Sequence, residues 1–290
     1  MTNTISQTLL EGTQILAKAG VPDARREATT LLAHLFNRDR TFLIAHGEEM
    51  VPTDLLAQFR TFVERRASGE PSQYVTGSQD FYGRTFLVSP DVLIPRPETE
   101  LLIEATCKYF NDQSATVSIC DVGTGSGCIA ITLLHELRGA HAIGTDISEA
   151  AIAVAEKNAQ AHKVTGRVSF VISDCFDRVP AQLSFDIIVS NPPYVSAAAV
   201  PGLQREVRDH EPLVALSPGP DGLSIIRRLI QEAPRFLKDA GLLIMEIGFD
   251  QGEATEELID PKVLDLLTIM PDLAGIPRIV ILKKRPGVRL

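Results

Sequence analysis

Apolar positions recur at helical spacing through residues 1–70 and gather into short strand-like runs after residue 115. Ile5, Leu9 and Leu16 share one helical face, and Gly20-Val21-Pro22 closes that segment, because glycine suits a helix end and proline cannot continue one. Asp23 stands where it can cap the next helix, in which Ala24, Ala28, Leu31, Leu32 and Leu35 form an apolar stripe. A polar turn, Asn37-Arg38-Asp39-Arg40, precedes a short apolar piece at 41–45. Another helix opens near Thr53 and carries Leu55, Leu56, Phe59, Phe62 and Val63. Arg65 and Arg66 fall in its last turn with Gly69 beyond, as the helix dipole and glycine caps favour. The pattern predicts a small all-α domain over residues 1–75 without a catalytic constellation.

The punctuation then changes. Pro71, Gly77, Gly83, Pro90, Pro95 and Pro97 interrupt the chain, and two extended runs near 79–82 and 85–88 flank Gly83. They predict a β-hairpin linker over 76–97. Leu93-Ile94-Pro95-Arg96-Pro97-Glu98-Thr99-Glu100 opens a helix, with Pro97 at its first position and Glu98 and Glu100 at its positive end. The third domain, 98–290, alternates strands (117–122, 141–146, 168–172, 185–190, 242–247, 279–282) with helices (129–137, 149–162, 223–237). Such alternation predicts an α/β fold, a mostly parallel sheet with helices on both faces. Lys283-Lys284-Arg285-Pro286 reads as a solvated tail.

Composition narrows the setting. Hydrophobic residues make up 44% of 290, enough for a sizeable core, yet no apolar run approaches the ~20 residues of a membrane span. The opening MTNTISQTLLEG lacks the basic-then-apolar plan of a signal peptide. Cys107, Cys120, Cys128 and Cys175 sit in apolar contexts without a CxxC pair, so reduced thiols and a cytoplasmic location are expected. The six histidines show no metal-ligand spacing, and no metal is expected. A net charge of −9 argues against broad electrostatic binding to nucleic acid.

Two loops carry the candidate chemistry. Asp121-Val122-Gly123-Thr124-Gly125-Ser126-Gly127 follows a predicted strand and opens a helix. Its G-x-G-x-G spacing is tighter than the G-x-G-x-x-G of dinucleotide sites, and the acid at its start repels a pyrophosphate but welcomes an ammonium or sulfonium. Asp146, at the end of the next strand, is placed to accept both ribose hydroxyls of an adenosine. Asp174, at the end of the third, is placed to accept an adenine amino group. S-adenosyl-L-methionine fits all three strand ends. The second loop is Asn191-Pro192-Pro193-Tyr194, after the apolar run Ile187-Ile188-Val189 and Ser190. Neither proline can continue a sheet ladder, and the residue before a proline is held extended. The result is a stiff spur at a strand's carboxyl end. The Asn191 side-chain oxygen and the Pro192 carbonyl can each accept one hydrogen of a planar NH₂ group, with the Tyr194 ring against its face.

DVGTGSG, the strand-terminal Asp146 and SNPPY together resemble class I S-adenosylmethionine-dependent N-methyltransferases. FYGRTFLVSPDVLIPRPETELL and EPLVALSPGPDGL, with the helical N-terminus, narrow the likeness to the release factor glutamine methyltransferase family, PrmC or HemK. The likeness spans essentially the whole chain. It implies a class I methyltransferase doubly wound seven-stranded sheet preceded by the small helical domain and the hairpin. It implies methylation of the side-chain amide of the glutamine in the Gly-Gly-Gln motif of class 1 peptide chain release factors. Gly123, Thr124, Gly125, Ser126, Gly127 and Asp146 then bind the donor. Asn191, Pro192, Pro193 and Tyr194 hold the glutamine, Asn191 lying also near the methyl group. Relatives carry a bulky side chain against the adenine after the third strand's acid, where this chain has Cys175 followed by Phe176. Either of the two fills that place.

An amide nitrogen is a poor nucleophile because its lone pair is delocalised, so the enzyme's task is orientation. The catalytic candidates are accordingly Asn191, Pro192 and Tyr194, with no general base. The residues over 1–75 are expected to dock the body of the release factor. The main alternative is an adenine-N6 methyltransferase, because adenine presents the same NH₂. A nicotinamide dehydrogenase is disfavoured by the glycine spacing, and a non-catalytic scaffold by the intact NPPY.

Overall fold

The computed structural model describes residues 3–110 and 116–288. They fall into two compact units, one of residues up to Ser78 with Gln204–His210, the other of Gln79–Leu203 with the chain from Glu211.

The first unit is helical: α1 (Ile5–Lys18), α2 (Ala24–Phe36), α3 (Arg40–Ala45), α4 (Thr53–Ala67), α5 (Ser72–Thr76), and the later short helix Arg205–His210. The apolar stripes meet as expected, Ile5, Leu16, Ala28, Leu31, Leu32, Phe59 and Val63 being buried together. Helix starts are less regular. Thr4 forms a capping box with Gln7 at α1, and Asp39 caps α3 by accepting from Phe42 N at 2.8 Å. Asp23 does not cap α2: its φ of +49° lies in the left-handed region, and no side-chain cap bond forms. Its backbone carbonyl instead accepts from Arg26 N and Glu27 N. Arg66 stands in the last turn of α4 as expected, and there it is buried. It is 5% exposed, donating Nε to Glu27 at 2.7 Å and Nη2 to Glu206 at 2.6 Å. A buried guanidinium demands such paired acceptors.

The second unit opens, from Gln79, within the hairpin of β1 (Ser78–Phe81) and β2 (Arg84–Leu87). Tyr82 belongs to its turn and not to the strand: Tyr82 and Gly83 have φ of +49° and +69°, the twist a two-residue hairpin turn requires. A 3₁₀ turn at Pro97–Thr99 leads into α6 (Glu100–Tyr109). Then follow β3 (Ser118–Val122), α7 (Cys128–Glu136), β4 (His141–Asp146), α8 (Glu149–Ala161), β5 (Val168–Ile172) and β6 (Phe185–Ser190). Beyond the short helix Arg205–His210, numbered α9, come α10 (Leu213–Leu216), α11 (Ser224–Phe236), β7 (Leu237–Glu246), α12 (Gly252–Glu256), β8 (Leu264–Pro271) and β9 (Pro277–Lys284).

The seven-stranded sheet runs β5-β4-β3-β6-β7-β9-β8. The first five strands pair in parallel, and β9 is antiparallel to both β7 and β8. Alternation divides the sheet's two cores. Ile119, Ile187, Val189, Ile244 and Ile281 face α6 and α7, while Cys120, Ile188, Leu243, Met245 and Val280 face α11. This is the doubly wound arrangement, and the chain reversal beside β3 opens a crevice at the carboxyl ends of β3 and β6. Strand β8 has no counterpart in the apolar pattern, and the expected tail is partly strand. Lys284 is 8% exposed and donates Nζ to Leu237 O at 2.7 Å.

Candidate active site

The loop from β3 to α7 depends on glycines. Gly123, Gly125 and Gly127 have φ of +75°, +54° and +79°, a region that side-chain-bearing residues rarely adopt. A Cβ at Gly127 would also lie 3.1 Å from Ile131 Cδ1 and 3.2 Å from the Ala155 methyl. At Gly123 and Gly125 a Cβ meets nothing within 4 Å, so those glycines leave the backbone open to the cavity. The loop is pinned from behind. Gly123 N and Thr124 N both donate to Thr145 O at 2.8 Å. The Asn158 amide donates to Ser126 O at 2.8 Å and to Leu87 O at 2.9 Å, and accepts from Leu87 N at 2.7 Å.

Three acids belong to this half of the site. Asp121 is wholly buried. Its Oδ2 accepts from Thr124 Oγ1 at 2.7 Å and from Ala130 N at 3.2 Å, whereas Oδ1 has no hydrogen-bond partner among the described residues. Burial pushes its carboxyl up to about 7 against those two bonds. Asp146 ends β4, where its Oδ2 accepts from Gly125 N and its Oδ1 from Ser148 N, each at 2.9 Å. Burial raises its pKa against these donors. Asp174 lies just beyond β5, half-exposed, and pairs with Arg228 Nη1 at 2.7 Å. Cys175 takes a left-handed φ of +45° and lines the cavity. Phe176 instead turns into the core and stacks on Phe236, the ring centroids 4.9 Å apart.

The second half is Asn191-Pro192-Pro193-Tyr194. Ser190, just before it, anchors β6 to β3 by donating to Val122 O at 2.7 Å. Asn191 Nδ2 donates to Thr99 Oγ1 at 2.9 Å. Thr99 in turn donates to Glu246 Oε2 at 2.7 Å, and Tyr194 donates to Glu246 Oε1 at 3.0 Å. Tyr194 is partly buried, with its pKa raised by burial first and by Glu246 next. Gln251 Nε2 holds the end of the spur by donating to Tyr194 O at 3.0 Å. A Cβ on Gly222 would fall 2.4 Å from that same carbonyl, so only glycine lets the strands of loop lie this close. The next residues are laced to the SPGP turn, Val195 N donating to Leu216 O and Ala197 N to Gly219 O. The buried Glu211 carboxylate receives Arg96 Nη2 and Ile94 N, tying the RPETE segment to the stretch that starts EPLVAL.

One cavity of about 350 Å³ joins these halves. Its lining includes Gly123, Thr124, Gly125, Ser126, Asp146, Asp174 and Cys175 on one side and Asn191, Pro192 and Pro193 on the other. Gly127 and Tyr194 are not part of that lining, although both brace it. Among the described residues no group of His, Cys, Asp and Glu side chains has metal-binding spacing.

Comparison with known proteins agrees with this architecture. Residues 7–77 match the family described as PrmC N-terminal domain, and residues 113–264 match a methyltransferase domain family. The release factor glutamine methyltransferase of Cereibacter sphaeroides is 44% identical over 91% of this chain and 93% of its own length. That of Koribacter versatilis is 40% identical over 97% of this chain and 99% of its own. The chain belongs to the release factor glutamine methyltransferase family. A solved methyltransferase from Pyrococcus furiosus shares the fold, with a TM-score of 0.52 at 16% identity over 71% of this chain and 91% of that one.

In this family member the apolar pattern located both loops, but not what holds them. In the sequence Thr99 lies inside the RPETE stretch with no signal of its role, Glu246 is one residue of a strand, and Gln251 carries no signal. Each acts across a large sequence separation. The one local hint was polarity: Glu246 ends an otherwise apolar run, Leu242–Met245, on a strand buried on both faces, and a buried carboxylate needs partners.

Proposed function

We propose that this chain methylates the side-chain amide nitrogen of the glutamine in the Gly-Gly-Gln motif of class 1 peptide chain release factors, with S-adenosyl-L-methionine as the donor. The single observation that carries the reading is the shared cavity, in which the glycine loop and Asn191-Pro192-Pro193 face the same space. The site suits the donor on its own terms. The open backbone at Gly123 and Gly125 admits a ligand to van der Waals contact. Asp121, buried behind the loop and outside the cavity lining, would act on the ammonium end of an amino-acid moiety through its charge and not by contact. Asp146 keeps lone pairs for ribose hydroxyls beyond the two it gives to backbone N–H groups. Cys175 lines the cavity, which supports it as the candidate for the adenine face. Asp174, which lines the cavity and pairs with Arg228, is the candidate acceptor for the adenine amino group.

S-adenosylmethionine, when bound, supplies an electrophilic methyl group on a sulfonium. The protein's work is then to present the amide nitrogen. Asn191 Oδ1 and the Pro192 carbonyl each accept one N–H of the glutamine NH₂, fixing the direction of the nitrogen. Their dipoles interact more strongly as the nitrogen gains positive character, which is differential stabilisation of the transition state. Tyr194, Pro193 and Gly127 keep the two loops in shape.

We assign the docking of the release-factor body to the helical unit. A glutamine side chain offers few atoms, and the binding energy per atom is bounded. Choosing one glutamine among many therefore requires contacts far from the amide. The decisive experiment is mass spectrometry of a release factor after incubation with enzyme and donor. A methyl group on the glutamine of Gly-Gly-Gln is expected, and none on a single-stranded adenine oligonucleotide. Methylated adenine with an unmodified factor would reverse the reading. A short peptide bearing Gly-Gly-Gln should react with a far lower kcat/KM than the intact factor; equal values would remove the docking assignment.

A further inference from the structure

We infer that Thr99 and Glu246 are positioning residues that decide which end of the Asn191 amide faces the cavity. The inference rests on the functional reading above only for what Asn191 does there. A side-chain amide has two ends of similar shape and opposite polarity. Only the oxygen can accept an N–H from a substrate amide, so a rotated Asn191 would present donors to donors. Something must fix the rotation, and the spur alone does not, since both rotamers of the terminal amide fit the same backbone.

The fixing runs through three residues distant in sequence. Glu246 is 1% exposed at the end of β7. Its two oxygens receive the Thr99 and Tyr194 hydroxyls at 2.7 and 3.0 Å. A carboxylate has no proton to give, so both hydroxyl protons must point toward it. Thr99 has one hydroxyl proton, and Glu246 takes it. Toward Asn191, 2.9 Å away, Thr99 Oγ1 is therefore left with lone pairs only. It accepts from Nδ2, and a rotated amide would set oxygen against oxygen with no proton between them. The Asn191 oxygen is thereby turned away from Thr99, which itself lines the cavity together with Asn191. Burial, with the Glu98 charge, raises the Glu246 pKa, while the two hydroxyl donors and the Arg278 charge oppose that rise. The acceptor oxygen of Glu246 thus becomes hydrogen-bond direction at Asn191 through one hydroxyl.

The test separates direction from mere support. Thr99→Val keeps the shape and removes the hydroxyl; Thr99→Ser keeps the hydroxyl. For Thr99→Val, kcat on the release factor is expected to fall on the order of tenfold or more, with donor affinity within about twofold of wild type. Thr99→Ser should retain most of the wild-type kcat. Glu246→Gln, which adds a donor where only acceptors stood, should lower kcat as Thr99→Val does. In an Asn191→Ala background Thr99→Val should change kcat less than about twofold, since no amide is left to orient. A readout that needs no substrate is the Asn191 side-chain NH₂ resonance, assigned by its loss in Asn191→Ala. Its protons should be protected from exchange in wild type and Thr99→Ser and unprotected in Thr99→Val. Unchanged protection in Thr99→Val, equal damage in both Thr99 variants, or an undiminished effect in the Asn191→Ala background would overturn the inference. An unmodified release factor with wild-type enzyme, alongside the expected exchange pattern, would defeat the functional reading alone.

Discussion

The loops that follow β3 and β6 leave neighbouring parallel strands, Ile119 standing opposite Ile187 in the ladder, yet they are built on opposite plans. The β3 loop is shaped by side chains it lacks. Three glycines with positive φ let the backbone turn, approach the cavity and pack against α8. The β6 loop is shaped by side chains it recruits: two prolines restrict its backbone, and Thr99, Glu246 and Gln251 hold its polar groups. A loop of the first kind offers main chain to a ligand and tolerates no substitution that adds bulk. A loop of the second kind offers aimed functional groups and is vulnerable at positions far away in the chain. Binding a donor needs the former, and orienting a nucleophile the latter.

Breaking the β6 loop should have the largest effect. Asn191→Ala is expected to lower turnover by ~10²-fold or more, comparable to losing one oxyanion-hole dipole, while the circular dichroism spectrum stays that of the wild type. Near wild-type turnover at saturating substrate would take Asn191 out of the chemistry. On the β3 side the loss should appear in binding instead. Asp146→Ala is expected to weaken S-adenosylmethionine binding by ~1.5–3 kcal/mol, the worth of a hydrogen bond to a charged group. An unchanged calorimetric Kd would remove it from the donor site. Gly127→Ala should cost ~1–3 kcal/mol of folding stability for a non-glycine residue in the left-handed region. The crowding at Ile131 and Ala155 adds to that cost. Denaturant midpoints read it directly, and an unshifted midpoint would mean that the loop relaxes freely.

The subtlest contrast is in pH. Asp121 has its carboxyl raised from 3.8 to about 7 by burial. The folded chain therefore holds this proton more tightly than the unfolded chain does. Its contribution to stability is complete below pH 3.8 and is lost as pH rises through about 7. Relative to wild type, Asp121→Asn without donor should gain thermal stability as pH is raised across that window. Donor affinity should run the other way in wild type, strengthening as the carboxylate forms, by a few-fold. A donor affinity flat across this range would show that the Asp121 charge does not act on the ammonium.

How much of this was readable in the chain follows from the same division. Features written in consecutive residues were legible: β4, β5 and β6 stand where the apolar runs placed them, and the glycine loop and the spur sit at their strand ends. Strand β8 was not, because an edge strand is half-covered and its Asp265 and Pro271 break the apolar pattern. Asp23 and Asp39 look alike as helix caps, and only the backbone angle separates the one that caps from the one that does not. Arg66 with Glu27 and Glu206, and Asn191 with Thr99 and Glu246, are pairings across the chain that local spacing cannot reveal. Cys175 and Phe176 are adjacent, and which of them reaches the cavity was settled by the left-handed turn at Cys175.

Asn158 has a consequence beyond bracing the glycine loop. The hairpin is a two-stranded sheet of its own, and the outer edge of such a ribbon is a template on which a strand from another molecule can pair. Leu87, half-exposed and apolar at the end of β2, would be the natural place for that pairing to begin. The Asn158 amide occupies both its N–H and its C=O, imitating one residue of a neighbouring strand. A single buried side chain thus fills the pairing groups of the ribbon's edge at Leu87.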